Sequence, residues 1–215
     1  MLTLGIHTAS SNCSAAILDG ETILAEIAEP MQRGHDQRLP DIVSQTARSA
    51  GIRIRDLGQI SVCVGPGSFT GIRVGVAFAR GLALANSIDA FGVTSPEGLM
   101  ATPPSQPTFA LIPAKKRLPD LSFWAQSFGD SALPDPAELS VAELKERLGP
   151  DTSILSTREG SETLADLIPD RAVSVHFPNA AGIALWSIRS ERSKVRSPTP
   201  IYVREPDAIP AKPLA

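Results

Sequence analysis

The fold of this chain is decided by one glycine-rich stretch, Gly65-Pro66-Gly67-Ser68-Phe69-Thr70-Gly71-Ile72-Arg73-Val74-Gly75. It follows the apolar run 60–64, which has the pattern of a short buried strand, and it leads into a helical pattern over about residues 70–85. Glycines at such a turn permit positive φ angles and let other backbone or a ligand come close. The stretch therefore predicts a strand, a tight turn and a helix in succession.

The same turn has the features of an anion site, because a helix start presents free backbone N–H groups. Ser68 or Thr70 can cap that start through its hydroxyl. No Lys-Ser/Thr pair follows the glycines, so the stretch is not a Walker P-loop. Spacing alone favours a structural turn over a ligand site. If a nucleotide lies nearby, the residues expected beside it are Gly65, Gly67, Ser68 and Thr70.

The helix behind the turn is apolar on more than one face. A stripe of small side chains recurs every four residues, at Gly71, Gly75, Ala79 and Ala83. Ile72 and Val76 lie beside the stripe, and a separate apolar row contains Val74, Phe78 and Leu82. Such a helix is either buried in its own domain or shared with a partner. The pattern leaves both alternatives open, with the small stripe allowing close approach of a second element in either case.

Flanking patterns predict a mixed α/β organisation in two parts. Strands are expected at 2–8, 13–18, 22–28 and 90–93, with an Asp19-Gly20 hairpin turn, and a helix at 35–50 that ends before Gly51 and has Pro40 in its first turn. Weaker patterns predict strands at 108–112, 121–128 and 173–177 and helices at 140–148, 160–168 and 179–193. We expect a lobe over residues 1–100, a linker at 102–107, and a smaller lobe with an extended proline-rich tail over 101–215.

Composition limits the functions that this chain can perform alone. Its 215 residues are 42% hydrophobic and carry a net charge of −3. The negative net charge argues against a chain that binds a nucleic-acid backbone by itself. No apolar run is long enough to span a bilayer and the N-terminus lacks a secretory signal pattern, so a cytoplasmic location is expected. Cys13 and Cys63 lie in apolar runs and are expected to be buried thiols. Two cysteines and three scattered histidines predict no zinc site.

Several segments together resemble one family. The opening strand ends in Thr8-Ala9-Ser10, a second strand contains Cys13-Ser14-Ala15-Ala16, and the segment from His35 to Pro40 precedes the long glycine motif and Gly81-Leu82-Ala83. In these features the first hundred residues resemble the TsaB family, also called YeaZ. Near the C-terminus, Pro200-Ile201-Tyr202-Val203-Arg204 is similar to the family's closing Pro-x-Tyr-hydrophobic-Arg signature.

The resemblance implies an actin-like ATPase-domain (ASKHA, ribonuclease H-like) fold of two lobes with mixed sheets. It implies a non-catalytic subunit of the complex that adds threonylcarbamoyl to N6 of adenosine 37 in tRNAs reading ANN codons. The implied partners are the catalytic TsaD and the ATPase TsaE, with a homodimer when the partner is missing and tRNA bound only through the complex. No tightly bound cofactor is expected, although ATP or ADP can lie at the interface with TsaD.

The partner surface implied by the resemblance lies on the two helices of the first lobe. Its expected residues are Leu39, Ile42, Val43, Gly71, Ile72, Arg73, Gly75, Val76, Ala79 and Ala83. From the residues alone, Arg73 is explained equally well as a contact to an acid or phosphate and as a solvated side chain.

Three departures from the family and its catalytic relatives weaken any intrinsic nucleotide chemistry. His7 stands where the first strand of the family has an acid, and an imidazole is a poor ligand for Mg²⁺. Pro113-Ala114-Lys115 replaces an Asp-Ala-Arg-like stretch. His35 is followed by Leu39 where TsaD-like enzymes have a second metal-binding histidine, so we expect no metal and a surface or capping role for His35. An ASKHA phosphotransferase acting on a small molecule remains the alternative function, and a metallopeptidase is disfavoured.

Overall fold

Two five-stranded sheets form the framework of the computed structural model, which describes residues 1–117, 119–129, 133–191 and 196–203. The first half contains β1 (Leu2–His7), β2 (Asn12–Asp19), β3 (Thr22–Pro30), α1 (His35–Ser49), β4 (Gln59–Gly65), α2 (Phe69–Asn86), β5 (Asp89–Thr94) and α3 (Ser95–Met100). The second half contains β6 (Thr108–Lys115), β7 (Ser122–Phe128), β8 (Ala137–Ser140), α4 (Val141–Arg147), β9 (Ser153–Ser156), α5 (Arg158–Leu167), β10 (Val173–Val175) and α6 (Ala180–Arg189).

The two halves repeat the same topology. The strand orders are β3-β2-β1-β4-β5 and β8-β7-β6-β9-β10, each with three antiparallel strands followed by two parallel ones. Helices follow at matching places, so α2 and α5 correspond, as do α3 and α6. The expected mixed-sheet α/β architecture is confirmed, although no tandem repeat is visible in the sequence. The proposed boundary near residue 100 stays a prediction, since α6 packs against the first sheet.

Helices cover both faces of the first sheet. One face carries α1 against β2 and β3 and α2 against β4, whereas the opposite face carries α6 against β1, β2 and β4. Gly5 of β1 allows this second contact, because a Cβ there would lie 2.1 Å from the carbonyl oxygen of Ala180. The core of the first lobe is therefore shielded on both sides, and β1 is its centre.

Local features of the first half differ from expectation at three points. No sequence pattern predicted α3, whose six residues follow β5 directly. The β2–β3 hairpin forms, but its two-residue loop is Gly20-Glu21, since Asp19 pairs with Thr22, and only Gly20 has a positive φ. Pro40 is the sixth residue of α1, beyond its first turn, because the helix begins at His35. The helix ends as expected, with Gly51 at φ +69° after it.

In the second half, sequence patterns located α4, α5, α6, β6, β7 and β10 but missed β8 and β9. Both missed strands have four residues. Most of the predicted extended tail, including Arg204, lies outside the described residues. In the described part of the chain no helix combines the length and apolarity needed to cross a bilayer.

Candidate functional site

The small-residue stripe of α2 faces inward, toward the end of β1. A Cβ at Gly71 would lie 2.0 Å from the carbonyl oxygen of Thr8, and one at Gly75 would lie 2.4 Å from the Thr8 hydroxyl. That hydroxyl donates a hydrogen bond of 2.7 Å to the Gly71 carbonyl. Ala79 and Ala83 continue the stripe in the buried core. The close approach that these residues permit is therefore made by the monomer itself.

The expected partner surface needs correction for the same reason. Of its ten residues only Arg73 is exposed; the others are buried within the monomer: Leu39, Ile42, Val43, Gly71, Ile72, Gly75, Val76, Ala79 and Ala83. The expectation that these nine residues form an exposed apolar surface is wrong, because α1 and α2 both turn them toward the sheet. Binding of a partner to other residues of these helices stays a prediction.

A different face of α2 is exposed and apolar. Leu84 is 84% exposed, and Ala77 and Gly81 are exposed on the same side. The row Val74, Phe78 and Leu82 lies half-buried at its edge. The helix contains no acidic residue, and its exposed cations are Arg73 and Arg80. We call this surface, formed by Arg73, Val74, Ala77, Arg80, Gly81 and Leu84, the outer face of α2.

The outer face of α1 is polar by comparison. Its exposed residues include Asp36, Gln37, Asp41 and Arg48, and its apolar residues other than Pro40 are buried. The outer face of α2 was missed because both sides of that helix are apolar in sequence. Gly81 was the available signal, since a glycine within a helix calls for a structural reason and a Cβ there would meet no atom within 4 Å.

The glycine-rich turn is filled by the chain's own backbone. Gly65 has φ +103°, and a Cβ there would lie 2.8 Å from the carbonyl oxygen of Ile201. At Gly67 a Cβ would lie 2.2 Å from the carbonyl oxygen of Ala9. The hydroxyl of Ser68 accepts a hydrogen bond from the Gly71 N–H and caps α2, whereas Thr70 lies inside the helix. These contacts account for the turn without a ligand, so proximity to a nucleotide stays a prediction.

A cleft of about 460 Å³ lies between the two lobes. Its lining includes His7, Ser68, Lys116, Arg158 and Glu159. Glu159 is the one carboxylate among these lining residues, and it is held by an ion pair of 2.7 Å with Lys116. Within the described residues no group of three or more His, Cys, Asp or Glu side chains could hold a metal. This set of side chains does not fit Mg²⁺, which prefers several oxygen ligands.

His7 is neutral in this cleft. It is 1% exposed, and its burial, with the neighbouring His35, lowers the pKa of its imidazole from 6.5 to about 4. Its Nδ1 has no hydrogen-bond partner in the described structure. A neutral imidazole therefore occupies the end of β1. His35 is also buried, as the first residue of α1, and the N-cap of that helix is Gly34 with no side-chain cap hydrogen bond, so the expected surface or capping role is wrong.

Pro113 closes the cleft from the second lobe. It is buried in β6, and a Cβ at Gly160 would lie 3.1 Å from its Cδ. Cys13 and Cys63 are free and buried as predicted, and burial raises the pKa of each thiol to about 11. The described cleft thus presents cations, hydroxyl groups and a neutral imidazole, and the one carboxylate in its lining is held in an ion pair.

Comparison with known proteins agrees with this architecture. A sequence model of the tRNA N6-adenosine threonylcarbamoyltransferase family, TsaD, matches residues 22–117. The tRNA threonylcarbamoyladenosine biosynthesis protein TsaB of Escherichia coli is 36% identical over 95 residues, covering 44% of this chain and 41% of that protein. TsaB of Bacillus subtilis is 34% identical over 101 residues, covering 47% and 44%. Over these segments the chain is similar to the TsaB (YeaZ) proteins.

The alignments with these two TsaB proteins span less than half of their length. Structural similarity extends further. YeaZ from Pseudomonas aeruginosa superposes with a TM-score of 0.70 at 21% identity, covering 94% of this chain and 99% of that one. The actin-like fold of two related lobes, expected from the resemblance to TsaB, is thereby confirmed.

Proposed function

We propose that this chain is a non-catalytic subunit in the addition of threonylcarbamoyl to N6 of adenosine 37 in tRNAs reading ANN codons. In this role it supports and activates a TsaD-like catalytic subunit. The similarity to TsaB proteins supports the assignment to this modification. The match of residues 22–117 to the TsaD family supports pairing between two related chains, because related lobes present related surfaces.

The outer face of α2 is the observation that carries the proposal. The exposed leucine of this face, Leu84, is 84% exposed, and the helix of 18 residues contains no acid to pair with the two arginines there. Gly81 costs about 0.5–1 kcal/mol relative to alanine in a helix interior, and the monomer gains nothing from it. A second helix packing closely on this face would account for both features.

The interlobe cleft supports a non-catalytic role. Phosphoryl transfer by this type of fold needs carboxylates and a metal close to the phosphates. Here His7 is buried and neutral, Pro113 is buried in β6, and Glu159 is paired with Lys116. The transfer of threonylcarbamoyl is accordingly assigned to the TsaD-like partner. ATP or ADP is proposed to lie at the interface between the two subunits. A TsaE-like ATPase joins the pair, and the tRNA is bound through the complex, in keeping with a net charge of −3.

The test is complex formation on a sizing column with a TsaD-like subunit, with and without ATP. Ala77→Arg places a long cation on the outer face of α2 without entering the core, because Ala77 is exposed. We expect it to abolish the shift to the complex. The matched control is Ala165→Arg, an exposed alanine of α5, the topological counterpart of α2.

Three outcomes count against the proposal. The first is a wild-type chain that forms no complex. The second is phosphate release by the chain alone, which would favour the phosphotransferase. The third is equal loss of binding in both variants. Without its partner, the wild-type chain should form a homodimer, and the oligomeric state of Ala77→Arg alone tests whether that dimer uses the same face.

A further inference from the structure

Aromatic groups hold the guanidinium of Arg73 in place on the outer face of α2. Its Cζ lies 3.8 Å from the ring centroid of Phe69 and 5.6 Å from that of Tyr202. Its Nε donates a hydrogen bond of 2.8 Å to the Tyr202 hydroxyl. In the described part of the chain no carboxylate pairs with it. Nη1 and Nη2 therefore have no carboxylate partner among the described residues.

Tyr202 belongs to residues 196–203, which we call the C-terminal strap. The strap is anchored on two strands of the first sheet: the Ile201 N–H donates to the Val64 carbonyl at 2.8 Å, and the Gly92 N–H donates to the Arg196 carbonyl at 2.7 Å. Glycines make this placement possible. A Cβ at Gly65 would lie 2.8 Å from the Ile201 carbonyl oxygen, and one at Gly92 would lie 2.6 Å from that of Ser197.

An ion pair fixes the start of the strap. Arg196 binds the Glu97 carboxylate of α3 at 2.7 Å, and the Glu97 side chain is only 6% exposed. The strap is thus held at both ends, and the position of the Tyr202 ring is set by the first lobe. Tyr202 remains 43% exposed, so it borders the outer face of α2 instead of being enclosed.

Any partner that covers the outer face of α2 must accommodate Arg73. Arg73 and Arg80 lie seven residues apart, about 10 Å along the helix axis, and no acid of the helix offsets them. Covering an unpaired guanidinium with an apolar surface is costly, whereas a carboxylate on the partner offsets that cost. The free edge with Nη1 and Nη2 matches the two oxygens of a carboxylate.

We propose that Arg73 binds a carboxylate of the partner subunit and that Tyr202, through the C-terminal strap, is the positioning residue that orients it. The partner surface is accordingly an apolar helix face with an acidic side chain opposite Arg73. Orienting the arginine before association reduces the conformational entropy lost on binding. This inference rests on the proposed pairing and specifies its chemistry.

The test compares dissociation constants for the TsaD-like subunit by isothermal titration calorimetry. Arg73→Gln should weaken binding by about 10- to 100-fold. Tyr202→Phe removes only the hydroxyl that accepts from Nε and should weaken binding by about 3- to 10-fold. The double variant should bind no more weakly than Arg73→Gln, because Tyr202 acts through Arg73. Arg55→Gln removes an exposed charge outside this face and should leave binding unchanged.

The outcomes separate this inference from the function on which it rests. Absence of complex formation by the wild-type chain would remove the basis of both. A wild-type complex that Ala77→Arg disrupts, but that Arg73→Gln and Tyr202→Phe leave within twofold, would overturn only the role of Arg73. Additive effects in the double variant would overturn the positioning role, since Tyr202 would then contact the partner independently. A cooperative thermal unfolding transition close to that of the wild-type chain is the check that each variant is folded.

Discussion

Two glycines of α2 are predicted to respond oppositely to the same substitution. In Gly71→Ala the new Cβ would lie 2.0 Å from the Thr8 carbonyl oxygen and 3.1 Å from its carbon. Both atoms are backbone at the end of β1, so the helix or the strand must shift by about 1 Å to restore van der Waals separation. In Gly81→Ala no atom lies within 4 Å of the new Cβ.

The expected magnitudes follow from these surroundings. Overpacking costs about 1–3 kcal/mol, and weakening the hydrogen bond from the Thr8 hydroxyl to Gly71 costs about 1 kcal/mol more. The higher helix propensity of alanine offsets about 1 kcal/mol. Gly71→Ala should therefore lower the free energy of unfolding by about 1–3 kcal/mol. Gly81→Ala should raise it by about 0.5–1 kcal/mol.

The assay is equilibrium urea denaturation followed by far-ultraviolet circular dichroism, with the midpoint of thermal unfolding as a second measure. For a chain of this size 1 kcal/mol corresponds to about 2–4 °C. Equal stability of Gly71→Ala and the wild-type chain would refute the inward orientation of the small stripe. A loss of more than about 1 kcal/mol in Gly81→Ala would refute the exposure of the outer face. The stabilised Gly81→Ala variant should also bind the TsaD-like subunit more weakly, which a purely local effect on the helix would not cause.

Two further predictions concern buried charge. Burial lowers the pKa of His7 from 6.5 to about 4, so the unfolded chain binds this proton first as the pH falls. The free energy of unfolding should therefore decrease by about 3 kcal/mol between pH 6.5 and 4. In urea titrations, His7→Asn should lack that part of the pH dependence. Arg196→Met leaves the Glu97 carboxylate, 6% exposed, without its cation, and should lower the free energy of unfolding by about 2–4 kcal/mol. Asp135→Asn removes a largely exposed partner of the same arginine and should change the free energy of unfolding by less than about 0.5 kcal/mol. Similar losses in Arg196→Met and Asp135→Asn would contradict the importance of the buried pair.

Local patterns were sufficient to predict most elements of the first lobe. Strands β1 to β3 have alternating or continuous apolar residues and are separated by turn residues. Helix α1 has a regular spacing of apolar residues that ends at Gly51. In contrast, β8 and β9 have only four residues each. So short a segment carries little periodicity, and it becomes a strand because β8 pairs with β7 and β9 pairs with β6.

By itself the sequence determined that a strand, a glycine-rich turn and an apolar helix follow one another, because φ preferences and side-chain periodicity act within a few residues. Only the tertiary structure decided which side of α2 is core. Both sides are apolar, and the choice depends on Thr8, 63 residues before Gly71, whose backbone fits only against the small stripe. The same holds for the contact between Arg73 and Tyr202, 129 residues apart, since such distant pairs form only when the sheets and the strap are in place.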